Sequence, residues 1–307
     1  MATPGRHFRQ PDAGAGSLPS PKLAAASRSP AAAARDGRGG GGDQDGRLSK
    51  SRRGRRRRGN ILPVLLIVAG VALLLVAGGL FIKAQVGYSQ AKDAYGELEQ
   101  YAVADDAGDG VPTVDFDALA RINPDIVGWI YVPGTVINYP VVQTDNNTTY
   151  LTKMFDGQNN GNGAIFMDMD DTAPGVVDEQ TTLYGHHMYD ASMFNIIDKS
   201  RDQSVFDTFT DVYYITRKAT YRFKPLFTTQ VADSFAQARQ ANFTGDATLA
   251  QYLTSTLEQA SAKAAEARDR CANAKQVLAL VTCNAQIVPT DQRALMACSL
   301  EETIARQ

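Results

Sequence analysis

The chain has 307 residues, 44% of them hydrophobic, with 31 Lys and Arg against 33 Asp and Glu and a formal charge of −2. The averages are ordinary, but their distribution excludes a single uniform globule: the first 60 residues hold fourteen Lys and Arg against four Asp, and the remainder holds seventeen bases against twenty-nine acids. Three cysteines, an odd number, exclude complete internal disulfide pairing, and imidazole is confined to His7, His186 and His187.

Residues 1–60 are rich in Ala, Gly, Pro, Ser and Arg and have almost no large apolar side chains to bury. They read as a disordered basic tail. Residues 61–82, ILPVLLIVAGVALLLVAGGLFI, carry no charge and as a helix reach roughly 33 Å, enough to cross a bilayer core. A buried core helix would carry a polar stripe, which is missing here. A cleaved leader would have an apolar region of about 7–15 residues and a better cleavage site than the one around Lys83. The reading is therefore an uncleaved signal anchor. Six arginines between Arg52 and Arg58 precede the span, and only Lys83 and Lys92 follow it closely. That asymmetry places the tail in the cytoplasm and residues 83–307 outside; orientation and anionic lipid explain the arginines more simply than nucleic acid does.

Residues 83–112 read as a helical stalk or linker, with Tyr88, Ala91, Tyr95 and Leu98 on one side and a break at DDAGDG. From 113 onward the pattern changes. FDALARI is a short helix stopped by Asn123-Pro124. GWIYV and VINYPVV are strands around Pro133-Gly134, and AIFMD, TTLYGH, VYYITR, TYRFKPLF, TTQVAD, KQVLALVTC and RALMACS are further strands. Two helical inserts are expected: a short one in ASMFNIIDKS and one long helix in ATLAQYLTSTLEQASAKAAEARDR. Many short strands with turn punctuation make a closed or nearly closed barrel.

Three residues form a chemical set. Cys283 ends the apolar strand VLALVTC. His186 ends the strand in LYGHHM, and an imidazole can take up a thiol proton or return one to a leaving amine. Arg293 lies ten residues after Cys283, beyond a turn marked by Pro289 and Asp291, and its permanent charge suits a developing oxyanion. An antiparallel β-turn would bring it beside the cysteine. Each residue alone is weak evidence. No CxxC or HxxxH spacing supports zinc, the EF-hand pattern is absent, and Asp168, Asp170 and Asp171 read as a solvated acidic loop; no metal or cofactor is expected. The sequence leaves open whether Cys271 and Cys298 pair.

Taken together, Y-G-H, L-x-T-C and an arginine ten residues after the cysteine resemble the sortases, and INPDIVGWIYVPGTVINYPVVQ, NNTTYLTKMFDG and LYGHHMYDASMF resemble class B members of that family over about residues 113–300. The resemblance implies a mainly β fold, a sortase-type closed barrel of about eight strands with peripheral helices, with the catalytic domain at 113–307. It implies Cys283 as nucleophile, His186 as the catalytic histidine, Arg293 as the arginine and Thr282 lining the substrate site. Ala279 departs from a threonine common in the family, and the loop 284–292 does not follow the family closely. The implied activity is a cysteine transpeptidase. It cleaves a C-terminal sorting motif of secreted proteins and passes the acyl group to an amine of peptidoglycan or a pilin. Nucleic acid is not an expected partner. The rival readings are a purely hydrolytic cysteine peptidase and an inactive membrane-tethered assembly or binding module.

Overall fold

A computed structural model describes residues 61–104, 110–159, 161–245, 247–283 and 291–306; the side chains of Ala84, Ala104 and Cys283 are not among the described atoms. The expected disordered tail, most of the DDAGDG break and the turn after Cys283 lie outside the described residues.

Helix α1 (Ile61–Leu98) is continuous through both the apolar segment and the expected stalk. Its side chains through Ile82 are exposed, whereas Ala91, Tyr95 and Leu98 are buried. Its most apolar window has a mean hydropathy of 2.9, so by length and composition the helix can cross a membrane. A small antiparallel pair, β1 (Ala102–Ala104) and β2 (Pro112–Val114), follows. Helix α2 (Phe116–Ile122) starts where Asp115 accepts from the amides of Asp117 and Ala118, and Asn123-Pro124 ends it.

The barrel is built from β3 (Ile126–Tyr131), β4 (Asn138–Val142), β5 (Ile165–Met167), β6 (Gln180–Gly185), β7 (Val212–Ile215), β8 (Ala219–Ala232), β10 (Val277–Cys283) and β11 (Gln292–Ala305), in the order β11-β10-β6-β5-β4-β3-β7-β8. Strand β8 then pairs with β11 and closes the ring of eight. The short β9 (Ala262–Lys263) adds to the other side of β8. Short helices α3 (Asn195–Lys199) and α4 (Gln203–Phe206) follow β6, and α5 (Leu249–Leu257) and α6 (Ala267–Asn273) precede β10.

Strand β10 is apolar on both faces because both are covered. Leu278 and Leu280 join the barrel core with Trp129, Tyr214 and Phe223, while Val277, Ala279 and Val281 pack outward against Leu253, Leu257 and Cys271 of α5 and α6. This explains a run that shows no polar alternation.

Three details depart from the sequence pattern. TYRFKPLF and TTQVAD are one strand, not two: Pro225 sits opposite Cys298 beside a register shift, where a missing amide is tolerated. The expected long helix is broken into α5 and α6. Between them Ser261 donates to the Thr228 carbonyl and Ala264 to the Leu226 carbonyl, so pairing along β8 overrides the helical propensity of the Ala-rich stretch. Finally, the acidic segment is not solvated throughout, because Asp168 and Asp171 are buried and only Asp170 is exposed. Among the described residues no group of three His, Cys, Asp or Glu is arranged to hold a metal ion.

Candidate active site

Two registers bring the three distant stretches together. Strand β10 runs parallel to β6 with Thr282 beside Gly185, and antiparallel to β11 with Cys283 opposite Arg293. His186 follows Gly185 directly, so the backbones of residues 186, 283 and 293 meet at one end of a three-strand wall. The sequence expectation that Cys283 and Arg293 sit on antiparallel neighbours holds in the pairing. A cleft of about 210 Å³ opens there, and His186, Thr282 and Arg293 line it. Thr282 is buried and Arg293 is half-buried.

The imidazole is fixed by its surroundings. His186 Nε2 lies 2.6 Å from the Leu151 carbonyl. A carbonyl oxygen only accepts, so Nε2 carries the proton and Nδ1 is the nitrogen left for proton exchange. Leu151 is held in turn because Tyr150 donates to Asp125 at 2.7 Å and accepts from Asn123 at 2.8 Å. Gly163, at φ +64°, packs on the ring: a methyl group there would lie 2.8 Å from His186 Cδ2 and 2.6 Å from the Tyr150 carbonyl. The glycine of the Y-G-H motif has a similar cause, since a Cβ on Gly185 would come within 2.6 Å of both Ile165 and Phe194.

The cleft also contains residues that sequence reasoning missed. Asn147, Leu151 and Arg239 come from connecting segments and line it beside Tyr184. Arg239 Nε donates to Asp168 at 3.0 Å, and the Tyr184 hydroxyl donates to the same carboxylate at 2.7 Å. Burial works to raise the Asp168 pKa, but the bonds from Tyr184, the Asp170 amide and Arg239 hold it below the ordinary carboxylate value. Asp171, three residues on, goes the other way: burial pushes it up to about 8, only partly opposed by the Thr182 amide at 2.7 Å. No linear motif announces these residues; the only signal was the acidic triplet itself.

The remaining cysteines do not reach the cleft. Cys271 and Cys298 are buried free thiols, not a disulfide. Burial raises Cys271 to about 11 and raises Cys298 as well, which keeps both as inert thiols.

A family description of a sortase domain matches residues 130–301, more than half of the chain. Sortase B of Staphylococcus aureus (strain NCTC 8325 / PS 47) is 32% identical over 143 residues, covering 46% of this chain and 57% of that protein. Sortase B of Listeria monocytogenes serovar 1/2a (strain ATCC BAA-679 / EGD-e) is 32% identical over 120 residues, covering 32% of this chain and 48% of that protein. The matched part thus spans about half the length of these curated relatives. The structure of sortase B from B. anthracis superimposes with a TM-score of 0.58 at 25% identity, covering 72% of this chain and 99% of that one. The closed barrel and the family match together define the class: this chain belongs to the sortase family. The relatives and structural neighbours it meets there are class B sortases.

Proposed function

We propose that the protein is a membrane-anchored cysteine transpeptidase that cleaves a C-terminal sorting motif of secreted proteins and transfers the acyl fragment to an amine of the cell wall or a pilin. The observation that carries this reading is the convergence of the β6, β10 and β11 ends on one cleft, with a histidine whose Nε2 is already committed. Cys283 is the nucleophile in this reading; the two other thiols are buried and inert, which supports it by elimination. Residues 1–60 form the cytoplasmic tail, 61–82 the span, 83–112 the stalk and 113–307 the external catalytic domain.

The Cys283 thiol passes its proton to His186 Nδ1, the resulting thiolate attacks a backbone carbonyl carbon, and the carbonyl oxygen takes the negative charge. Arg293 stabilises that oxyanion. When the C–N bond breaks, His186 gives the departing amine its proton from Nδ1, and the acyl fragment remains as a Cys283 thioester. An incoming amine attacks the thioester, His186 accepts the proton that amine loses, the C–S bond breaks and the thiolate returns. Thr282 lines the substrate site. The segment after β8, which carries Arg239 into the cleft, is suited to shield the thioester from water. A tether near the exporting membrane raises the effective concentration of substrates held at the same surface.

The test is trapping. The full chain in detergent is mixed with a library of sorting-type peptides and analysed by intact-mass spectrometry. The expected result is an acyl adduct on Cys283, absent from Cys283→Ala and converted to an amide product when an amine is supplied. No adduct with any peptide, and unchanged surface display of client proteins in a Cys283→Ala strain, overturns the reading. A product of hydrolysis alone in the presence of amine overturns the transfer step.

A further inference from the structure

Helix α1 does more than hold the domain at a surface. Residues 150–159 and 161–164 contribute two arms of chain that are bonded to each other: Ala164 donates to the Tyr150 carbonyl at 3.0 Å and Gly161 to the Thr152 carbonyl at 3.2 Å. One arm supplies the Leu151 carbonyl that fixes His186, and the other supplies Gly163, which packs on the imidazole edge. The Tyr95 hydroxyl of α1 reaches both arms. It donates to the Gly163 carbonyl at 2.7 Å and accepts from the Phe155 amide at 3.4 Å. A second bond ties the same arm to the helix, because Asn162 Nδ2 donates to the Gly87 carbonyl at 2.9 Å.

Tyr95 is 6% exposed, and its ring meets Tyr139 edge-on at 5.5 Å. Buried phenol hydroxyls are as a rule hydrogen-bonded. This one is bonded to the two strands of chain that bracket His186. The route from the helix to the imidazole therefore contains one bridging hydroxyl, one glycine in contact with the ring and one carbonyl on Nε2.

We propose that Tyr95 is a positioning residue for His186, so that the helix continuing from the apolar span sets the geometry of the proton carrier. The inference rests on the role given to His186 above, and it deepens that role. Its physical content is that, among the described residues, none of 150–159 and 161–164 lies in a strand of the barrel. Without the bridge, the arms keep their own backbone bonds but lose their tie to the helix through Tyr95, so the Leu151 carbonyl and Gly163 shift together and Nδ1 is held less firmly in its direction.

Tyr95→Phe removes only the bridging hydroxyl and retains the packing. In the full chain we expect kcat for thioester formation to fall about tenfold, a part of the about 10²–10⁴-fold that a positioned acid–base group supplies, with KM unchanged within twofold. The pH profile of Cys283 alkylation by iodoacetamide should move toward that of an ordinary thiol near about 8.5. Asn162→Ala, which removes the second tie, should move both readouts in the same direction by about threefold. A Tyr95→Phe protein with a lower Tm but an unchanged alkylation profile has lost only structure, and overturns the proposal. The alkylation profile needs no peptide substrate: a difference between wild type and Tyr95→Phe upholds the proposal even where no peptide is accepted. That latter failure would instead count against the transpeptidase reading.

Discussion

His186 and His187 are consecutive in the chain and opposite in everything else. His186 lines the cleft, and its Nε2 faces a carbonyl that only accepts. His187 turns under the following loop, where its side chain is 8% exposed. There Asn195 Nδ2 approaches His187 Nε2 at 2.9 Å while also donating to the Met188 carbonyl at 2.8 Å. The second bond fixes the amide, so the Nε2 of His187 accepts. The two rings therefore carry their protons on opposite nitrogens. Alternation at a strand end explains the split: one side chain goes to the groove and the next to the interior. Residue type alone does not assign chemistry here; the partner of one ring nitrogen does.

The comparison breaks or holds with paired substitutions. His186→Ala should lower kcat/KM for peptide cleavage by about 10²–10⁴-fold while unfolding stability changes little. Equal loss of stability and activity would mean that His186 is only part of the packing. His187→Ala should do the reverse. It removes a nearly buried ring beside Asn195 and Asp198, so denaturant unfolding should show a loss of about 1–2 kcal/mol, with kcat/KM within about threefold of wild type. A large activity loss in a stable His187→Ala protein would erase the distinction between the neighbours.

Much of the barrel was legible because its strands have strong local signals. VINYPVV, TTLYGH and VLALVTC are short β-rich runs bounded by turns, and the apolar segment 61–82 is long and free of charge. That the positions of Cys283, His186 and Arg293 come together was legible through their spacing and order. What escaped was whatever depends on a partner far away in sequence. The Ala-rich stretch around Ser261 reads as helix until its amides find the carbonyls of β8. Tyr95 reads as the apolar face of a stalk, and its hydroxyl bonds to Gly163 and Phe155, 68 and 60 residues away, are invisible in that pattern. Arg239 belongs to a polar loop that nothing in the sequence directs to the cleft. The burial of Asp168 and Asp171 was missed for the same reason, since short acidic runs are usually solvated.

Those two aspartates repeat the contrast of the histidines at smaller amplitude. Asp168 is stabilised as an anion by Tyr184 and Arg239, whereas Asp171 has one amide donor on Oδ2 and no partner on Oδ1. Burial raises Asp171 from 3.8 to about 8. Below 3.8 the folded and unfolded chains both hold this proton, and the group leaves stability unaffected. Between 3.8 and about 8 only the folded chain keeps it, so this group makes the fold progressively less stable as pH rises, and the loss levels off above about 8. Asp171→Asn removes the titration but keeps an oxygen for the Thr182 amide. Its unfolding free energy, measured at pH 5, 7 and 9, should gain on wild type as pH rises, by up to about 4 kcal/mol, since a one-proton difference is worth about 1.4 kcal/mol per pH unit until the folded-state pKa is passed. Parallel pH profiles for the two proteins would place Asp171 among ordinary carboxylates and leave Asp168 as the only aspartate of the pair set apart by its surroundings.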